Sequence, residues 1–331
     1  MASSACRQVS WTSGLRRTQG PVTPESAKFE TTMKRRHLIE LLPLLVGGHA
    51  FAQPGPTSAP LTRPIPSSGE QLPVIGLGTW ISFNVGNDKA ARAQSTEVMR
   101  HFFDAGGKLI DSSPMYGSSQ GVIGEGLQAL QAQARVFSAD KVWTASSGAE
   151  QIEASRQLWK ISKFDLLQVH NLLAWEKQLP LLHAMKAAGQ LRYVGITTSE
   201  GRRHREVEQI MRTHRLDFVQ LSYNLLDREV EDRLLLLARD RGIAVIVNRP
   251  FREGALLRQL QRQPLPGWAA DIECRTWAQV ALKFIVSHPV VTCVIPATSS
   301  VVHVRENMAA ARGRLPDEAL RRRMMADIEK L

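Results

Sequence analysis

From about residue 72 the chain alternates short runs of β-branched and apolar residues with longer stretches whose apolar positions recur at helical spacing. The short runs predict eight strands, at residues 73–78, 108–112, 136–139, 165–169, 193–197, 218–221, 244–247 and 291–295. Helical stretches between them include 95–104, 152–161, 176–188 and 230–241. In the last of these, Leu234, Leu235, Leu237 and Ala238 share one side and charges the other, so it should cover a sheet. Strands separated by helices pair in parallel through crossover connections. A closed barrel and a doubly wound sheet both satisfy that rhythm. No GxGxxG follows the first strand, which disfavours the dinucleotide-binding doubly wound sheet. The strand count favours an α/β chain folded as a (β/α)8 TIM barrel. Ahead of the first strand, residues 63–70 (RPIPSSGE) predict a small hairpin that plugs one end.

The pattern breaks down before residue 62. Residues 1–32 show no hydrophobic periodicity, so Met33 is the expected translation start and 1–32 an extension. Residues 33–52 place Lys34, Arg35 and Arg36 before the apolar run 41–46. Ala50-Phe51-Ala52 then gives a small-x-small cleavage pattern before Gln53. That is the layout of a secretory signal peptide, too short to span a membrane permanently. The paired arginines resemble a twin-arginine signal, which exports folded proteins. The expected location is therefore the periplasm, or the cytoplasm if the signal is unused. Residues 53–61, rich in Pro, Gly, Ser and Thr, read as a linker, and 62–331 as the barrel.

Length and composition suit this picture: 331 residues with 43% hydrophobic and 22% charged positions supply one large barrel core. The formal charge of +11 raises the question of a nucleic-acid partner. Much of it sits in Arg16, Arg17 and Lys34 to Arg36 and in Arg321 to Arg323, with no nucleic-acid-binding motif, so none is expected. Cys6, Cys274 and Cys293 lie far apart, which argues against a disulfide framework or a zinc site. Cys293, inside an apolar run, is expected in the core. No metal is expected, because the HxH pair of metal-dependent barrel hydrolases is missing after the first strand.

In such a barrel the chemistry gathers where strands end on the C-terminal face. Asp111 closes the second predicted strand and Tyr116 follows in its loop; Lys141 closes the third and His170 the fourth. An acid, a phenol, an amine and an imidazole thus come from neighbouring strands. The segment Ile110-Asp111-Ser112-Ser113-Pro114-Met115-Tyr116-Gly117 resembles the aldo-keto reductase motif. Further matches lie in 73–80 (PVIGLGTW), 166–171, 189–196 (GQLRYVGI), 220–224 and 295–307, covering roughly residues 63–312.

That resemblance implies a barrel with an N-terminal hairpin and an extra C-terminal helix, reducing an aldehyde or ketone with NADPH, or alternatively NADH. Tyr116 would be the general acid, Lys141 would lower its pKa, Asp111 would fix the lysine, and His170 would orient the carbonyl and donate to the developing oxyanion. It also implies cofactor contacts. Thr197, Thr198 and Gln220 would hold the nicotinamide carboxamide, with Thr79 and Trp80 nearby. The loop from Arg249 through Phe251 to Gly254 would follow the pyrophosphate. Ser299, His303, Glu306 and Asn307 would surround the adenosine end, where a helix beginning near Ser300 is expected. Several positions depart from the commonest family pattern. Thr198 replaces a frequent Asn, and Asn248 a frequent aromatic whose stacking role is expected of Arg249. Ala297 and His303 stand where cations often hold a 2′-phosphate, and Asp140 precedes Lys141 where Thr is common. Loop 256–275 should help wall the pocket, with Trp80, Trp143 and Trp268 as lining or as plain packing. The alternative reading is a cofactor-binding regulatory or redox-sensing subunit with little turnover. The sequence leaves the oligomeric state and the particular carbonyl open.

Overall fold

A computed structural model describes residues 59–330. The expected extension (1–32), signal peptide (33–52) and most of the linker lie outside the described residues. The first ordered elements are β1 (Thr62–Pro64) and β2 (Gln71–Pro73), an antiparallel hairpin with Arg63 opposite Leu72. Eight parallel strands follow: β3 (Leu77–Gly78), β4 (Leu109–Asp111), β5 (Phe137–Val142), β6 (Phe164–Val169), β7 (Leu191–Thr197), β8 (Phe218–Ser222), β9 (Ala244–Asn248) and β10 (Val291–Val294). Each hydrogen-bonds to the next in sequence order. The ring closes through parallel bridges from Ile75 to Val294 and from Gly78 to Ala297. A Cβ at Gly78 would come within 2.6 Å of the Ile295 carbonyl oxygen, so the seam needs glycine there. The architecture is a (β/α)8 barrel.

Helices α1 (Lys89–Asp104), α2 (Ser119–Leu130), α3 (Gly148–Trp159), α4 (Trp175–Ala187), α5 (His204–Thr213), α6 (Leu234–Arg241), α7 (Ala255–Leu260), α8 (Trp277–Ser287), α9 (Val301–Ala309) and α10 (Glu318–Ile328) complete the described chain. The larger core cluster includes outward strand residues and buried helix faces, such as Val98, Phe102 and Ile123. The smaller one fills the barrel: Leu109, Phe137, Leu166, Tyr193, Phe218, Ile246 and Cys293, joined by Ile65 and Leu72 of the hairpin. The hairpin is therefore the plug the sequence predicts. It is held by the Tyr193 hydroxyl, 2.7 Å from Glu70 Oε2, and by Arg192, which pairs with Glu70 and with Asp165 (2.6 Å). Cys293 is fully buried in this inner core, as expected, and burial pushes its thiol pKa up.

Three differences from the sequence reading have local causes. The expected first strand, 73–78, is divided between β2 and β3, because its first residues pair with the hairpin and only Leu77 and Gly78 join β4. Helix α1 begins six residues earlier than expected, where the Asp88 side chain accepts from Ala90 N and Ala91 N; its first turns are polar and carry no apolar signal. The continuous helix expected over 230–241 is a short 3-10 turn (Glu229–Glu231) followed by α6. Arg233, non-helical at φ −139°, separates the two and pairs with Glu208. Of the two readings open for Trp268, the structure favours packing: it is buried in the outer core and donates from Nε1 to Asp327 on α10 at 3.0 Å. Leu256, Leu260, Ala269, Ile272 and Cys274 of that loop are buried in the same core, with Leu257 and Leu265 packed partly against it.

Candidate active site

Period-two alternation sorts each strand into an inward and an outward row. Leu109, Ala139, Leu166, Phe218 and Ile246 belong to the barrel interior. Two residues further on, at the C-terminal ends, the inward row carries Asp111, Lys141, Gln168, Gln220 and Asn248. Tyr193 is likewise followed inward by Gly195 and then Thr197. An apolar core thus gives way in one step to a polar floor. The plug closes the opposite end, so these groups face the open C-terminal mouth.

Three of the four predicted catalytic residues are buried on this floor and the fourth leans over it. Lys141 Nζ donates to Asp111 Oδ1 at 2.5 Å and to the Ser112 carbonyl at 2.7 Å, with both charged side chains essentially inaccessible. It also sits 5.0 Å from the centre of the Tyr116 ring. The other Asp111 oxygen accepts from Gln220 Nε2 at 2.9 Å and from Gln168 Nε2 at 3.3 Å. The Tyr116 ring packs against Trp80 (centroids 4.9 Å) and edge-on to His170 (5.8 Å). Trp143 approaches His170 from another side at 6.5 Å. Trp80 and Trp143 remain partly exposed, which suits an apolar rim above the polar floor.

Burial and charge set the protonation states. The Lys141 amine, though desolvated, is held above its ordinary pKa by Asp111 and Tyr116. Tyr116 departs from expectation: burial raises its pKa and outweighs the lowering by Lys141, so the phenol stays protonated at neutral pH. His170 is pushed down to about 3 by burial and by the Lys141 charge, which keeps it neutral. Asp140 falls in the outward row. Its carboxylate accepts from Gln120 on α2 (2.7 Å) and from the Lys141 backbone N–H (2.8 Å), and burial raises it to about 7.

The predicted cofactor residues divide. Thr197 and Gln220 end buried on the polar floor, and the Thr197 hydroxyl has no partner among the described residues. Asn248 donates to the Thr198 carbonyl (3.0 Å) and to Gln220 Oε1 (3.2 Å), linking three strand ends. The hydroxyls of Thr79 and Thr198 are committed elsewhere, to the carbonyls of Asp111 (2.9 Å) and Arg202 (2.6 Å). Arg249, expected to take a stacking role, forms ion pairs with Glu253 (2.5 Å) and Glu200 (3.2 Å). Phe251, beside it, is partly buried against the outer core. At the end expected to face the adenosine, Ser300 caps α9 by accepting from His303 N, with Ser299 and His303 exposed, Glu306 half-buried and Asn307 buried. The polar set fits a nicotinamide nucleotide at both ends: the Thr197 hydroxyl and the Gln220 and Asn248 amide oxygens for the carboxamide, and a capped helix N-terminus for phosphate.

Sequence reasoning missed two residues. Gln168 is an inward polar residue two positions before His170, and that spacing was its signal. A Cβ at Gly195 would meet its Cγ at 3.1 Å, so the neighbouring glycine makes room for it. Ser113, inside the quoted motif, touches His170. A cavity of about 660 Å³ at the plugged end, lined by Glu70, Phe137 and Arg192 among others, lies away from this polar floor.

Comparison with known proteins identifies the family. The model of the Aldo/keto reductase family matches residues 74–326. Methylglyoxal reductase YeaE of Escherichia coli is 27% identical over 73% of this chain and 87% of its own. The NADH-specific methylglyoxal reductase of the same species is 26% identical over 80% and 98%. Among solved structures, a Klebsiella pneumoniae aldo/keto reductase in complex with NADP and acetate superposes with a TM-score of 0.65 at 24% identity, covering 79% of this chain and 92% of that one. The chain belongs to the aldo/keto reductase family.

Proposed function

We propose that this oxidoreductase reduces a small aldehyde or ketone to the alcohol, with Tyr116 as proton donor. The observation that carries the reading is the buried Lys141–Asp111 pair set under the Tyr116 ring on the open face of the barrel. A bound nicotinamide supplies the hydride that goes to the carbonyl carbon. Negative charge then develops on the carbonyl oxygen. The Tyr116 phenol, still protonated, gives its proton there. Lys141, kept charged by Asp111, stabilises the phenolate left behind. His170, neutral, offers a hydrogen bond to the same oxygen. Gln168 and Gln220 hold Asp111 so that Lys141 keeps its place. Thr197 and the Gln220 and Asn248 amides would orient the carboxamide, and the α9 N-terminus would take a phosphate.

NADPH is the preferred cofactor in this reading and NADH a possible substitute, since Ala297 and His303 offer little charge to a 2′-phosphate. Two relatives are methylglyoxal reductases, so a 2-oxoaldehyde is the first substrate to assay. Titration with each nucleotide, followed by tryptophan fluorescence, should show saturable binding. Replacing Tyr116 with Phe should leave that binding intact and lower kcat/KM by at least about a hundredfold. Tight binding with negligible wild-type turnover would instead indicate a sensor. No nucleotide binding by folded protein would remove the reading altogether.

A further inference from the structure

Ser113 is fully buried, and its Oγ lies 2.8 Å from His170 Nδ1. The same oxygen accepts from the Met115 backbone N–H at 3.2 Å. The other ring nitrogen, Nε2, has no partner among the described residues. We propose that Ser113 sets the tautomer of His170: its hydroxyl donates to Nδ1, so the imidazole proton resides on Nε2, available to a substrate oxygen. The catalytic meaning of this rests on the reductase reading above; the tautomer itself does not.

A serine hydroxyl has one proton to give and two lone pairs to accept with. With O–H donating to Nδ1 and Met115 N–H donating to the oxygen, the buried groups are satisfied. In the reverse arrangement Nδ1–H would donate to Oγ. The hydroxyl proton would then have no acceptor among the described residues, and a buried donor left unmade is disfavoured. Nε2 would also present a lone pair, which repels a carbonyl oxygen. The cationic ring is no third option, because burial and the Lys141 charge keep His170 neutral. The Ser113 carbonyl accepts from Tyr116 N at 2.9 Å, so one tight turn carries both the phenol and the group that orients the imidazole. Ser113 is thus a positioning residue: it acts through His170.

The test is ¹⁵N NMR of the full chain labelled in histidine, with the His170 signals assigned by their loss in His170→Gln. The wild type should show a protonated Nε2 and an unprotonated Nδ1 across neutral pH. In Ser113→Ala the ring should become a mixture of tautomers, and kcat for carbonyl reduction should fall roughly three- to tenfold with nucleotide affinity unchanged. A protonated Nδ1 in the wild type overturns the proposal whatever the variant does. A variant that keeps the wild-type tautomer overturns it as well, and one that changes tautomer without losing rate overturns the catalytic role given to that tautomer. If the wild type turns over no carbonyl while its Nε2 is protonated, the reductase reading has failed and the tautomer assignment stands.

Discussion

Asp140 and Lys141 are neighbours in sequence, yet the strand pleat sends one outward against α2 and α3 and the other into the barrel. Asp140 is wholly buried, with the Gln120 side-chain amide and the Lys141 backbone N–H as its hydrogen-bond partners among the described residues. Burial, opposed chiefly by the charge of Lys141, raises its pKa from 3.8 to about 7. Because the folded value lies above the unfolded one, its contribution to stability is complete below about pH 4 and is lost as pH rises through about 7. The loss amounts to about 4 kcal/mol at most. Asp140→Asn should therefore gain on the wild type as pH rises from 4 to 8. Denaturant unfolding at several pH values measures this; parallel stability curves would mean that Asp140 does not titrate in that window. The sequence showed Asp140 as an extra carboxylate beside the lysine. Which face of the strand it occupied followed from alternation, but its protonation followed from the helices packed over it.

At the scale of elements, the hairpin β1–β2 is the piece most separable from the chemistry. Leu72 and Ile65 enter the barrel from the end opposite Asp111 and pack with Phe137, Tyr193 and Phe218. Leu72→Ala leaves a cavity among rigid rings and should cost roughly 2–5 kcal/mol in unfolding free energy. The kcat at a temperature where the variant remains folded should be unchanged. A large fall in kcat without loss of stability would show that the plug positions the floor as well as filling the barrel. The strands were legible because alternating inward and outward burial leaves a strong pattern. Helix starts were less so: α1 begins on a polar turn fixed by Asp88, and α6 begins after a break that the pattern of leucines does not record.

For the whole molecule, the sequence ahead of the barrel carries an expected export signal. We propose that the twin-arginine-like segment 33–52 sends the barrel out already folded around its cofactor. The full chain, expressed in a bacterium with that pathway, should appear in the periplasmic fraction and carry nucleotide when purified. Replacing Arg35 and Arg36 with Lys should retain it in the cytoplasm. Periplasmic protein that is folded and consistently free of nucleotide would refute export with the cofactor inside. Within the barrel, the order of strands, the plug and the positions of Asp111, Tyr116, Lys141 and His170 could be read from the chain, because each depends on local alternation and on a motif contiguous in sequence. Tertiary structure alone decided what depends on groups brought from distant segments. Burial overrides the lysine at Tyr116, Glu200 and Glu253 engage Arg249, Trp268 turns to α10, and Ser113 meets His170 across 57 positions. Protonation and hydrogen-bond direction depend on the dielectric and on the partners that the closed ring creates, and neither exists until the ring has closed.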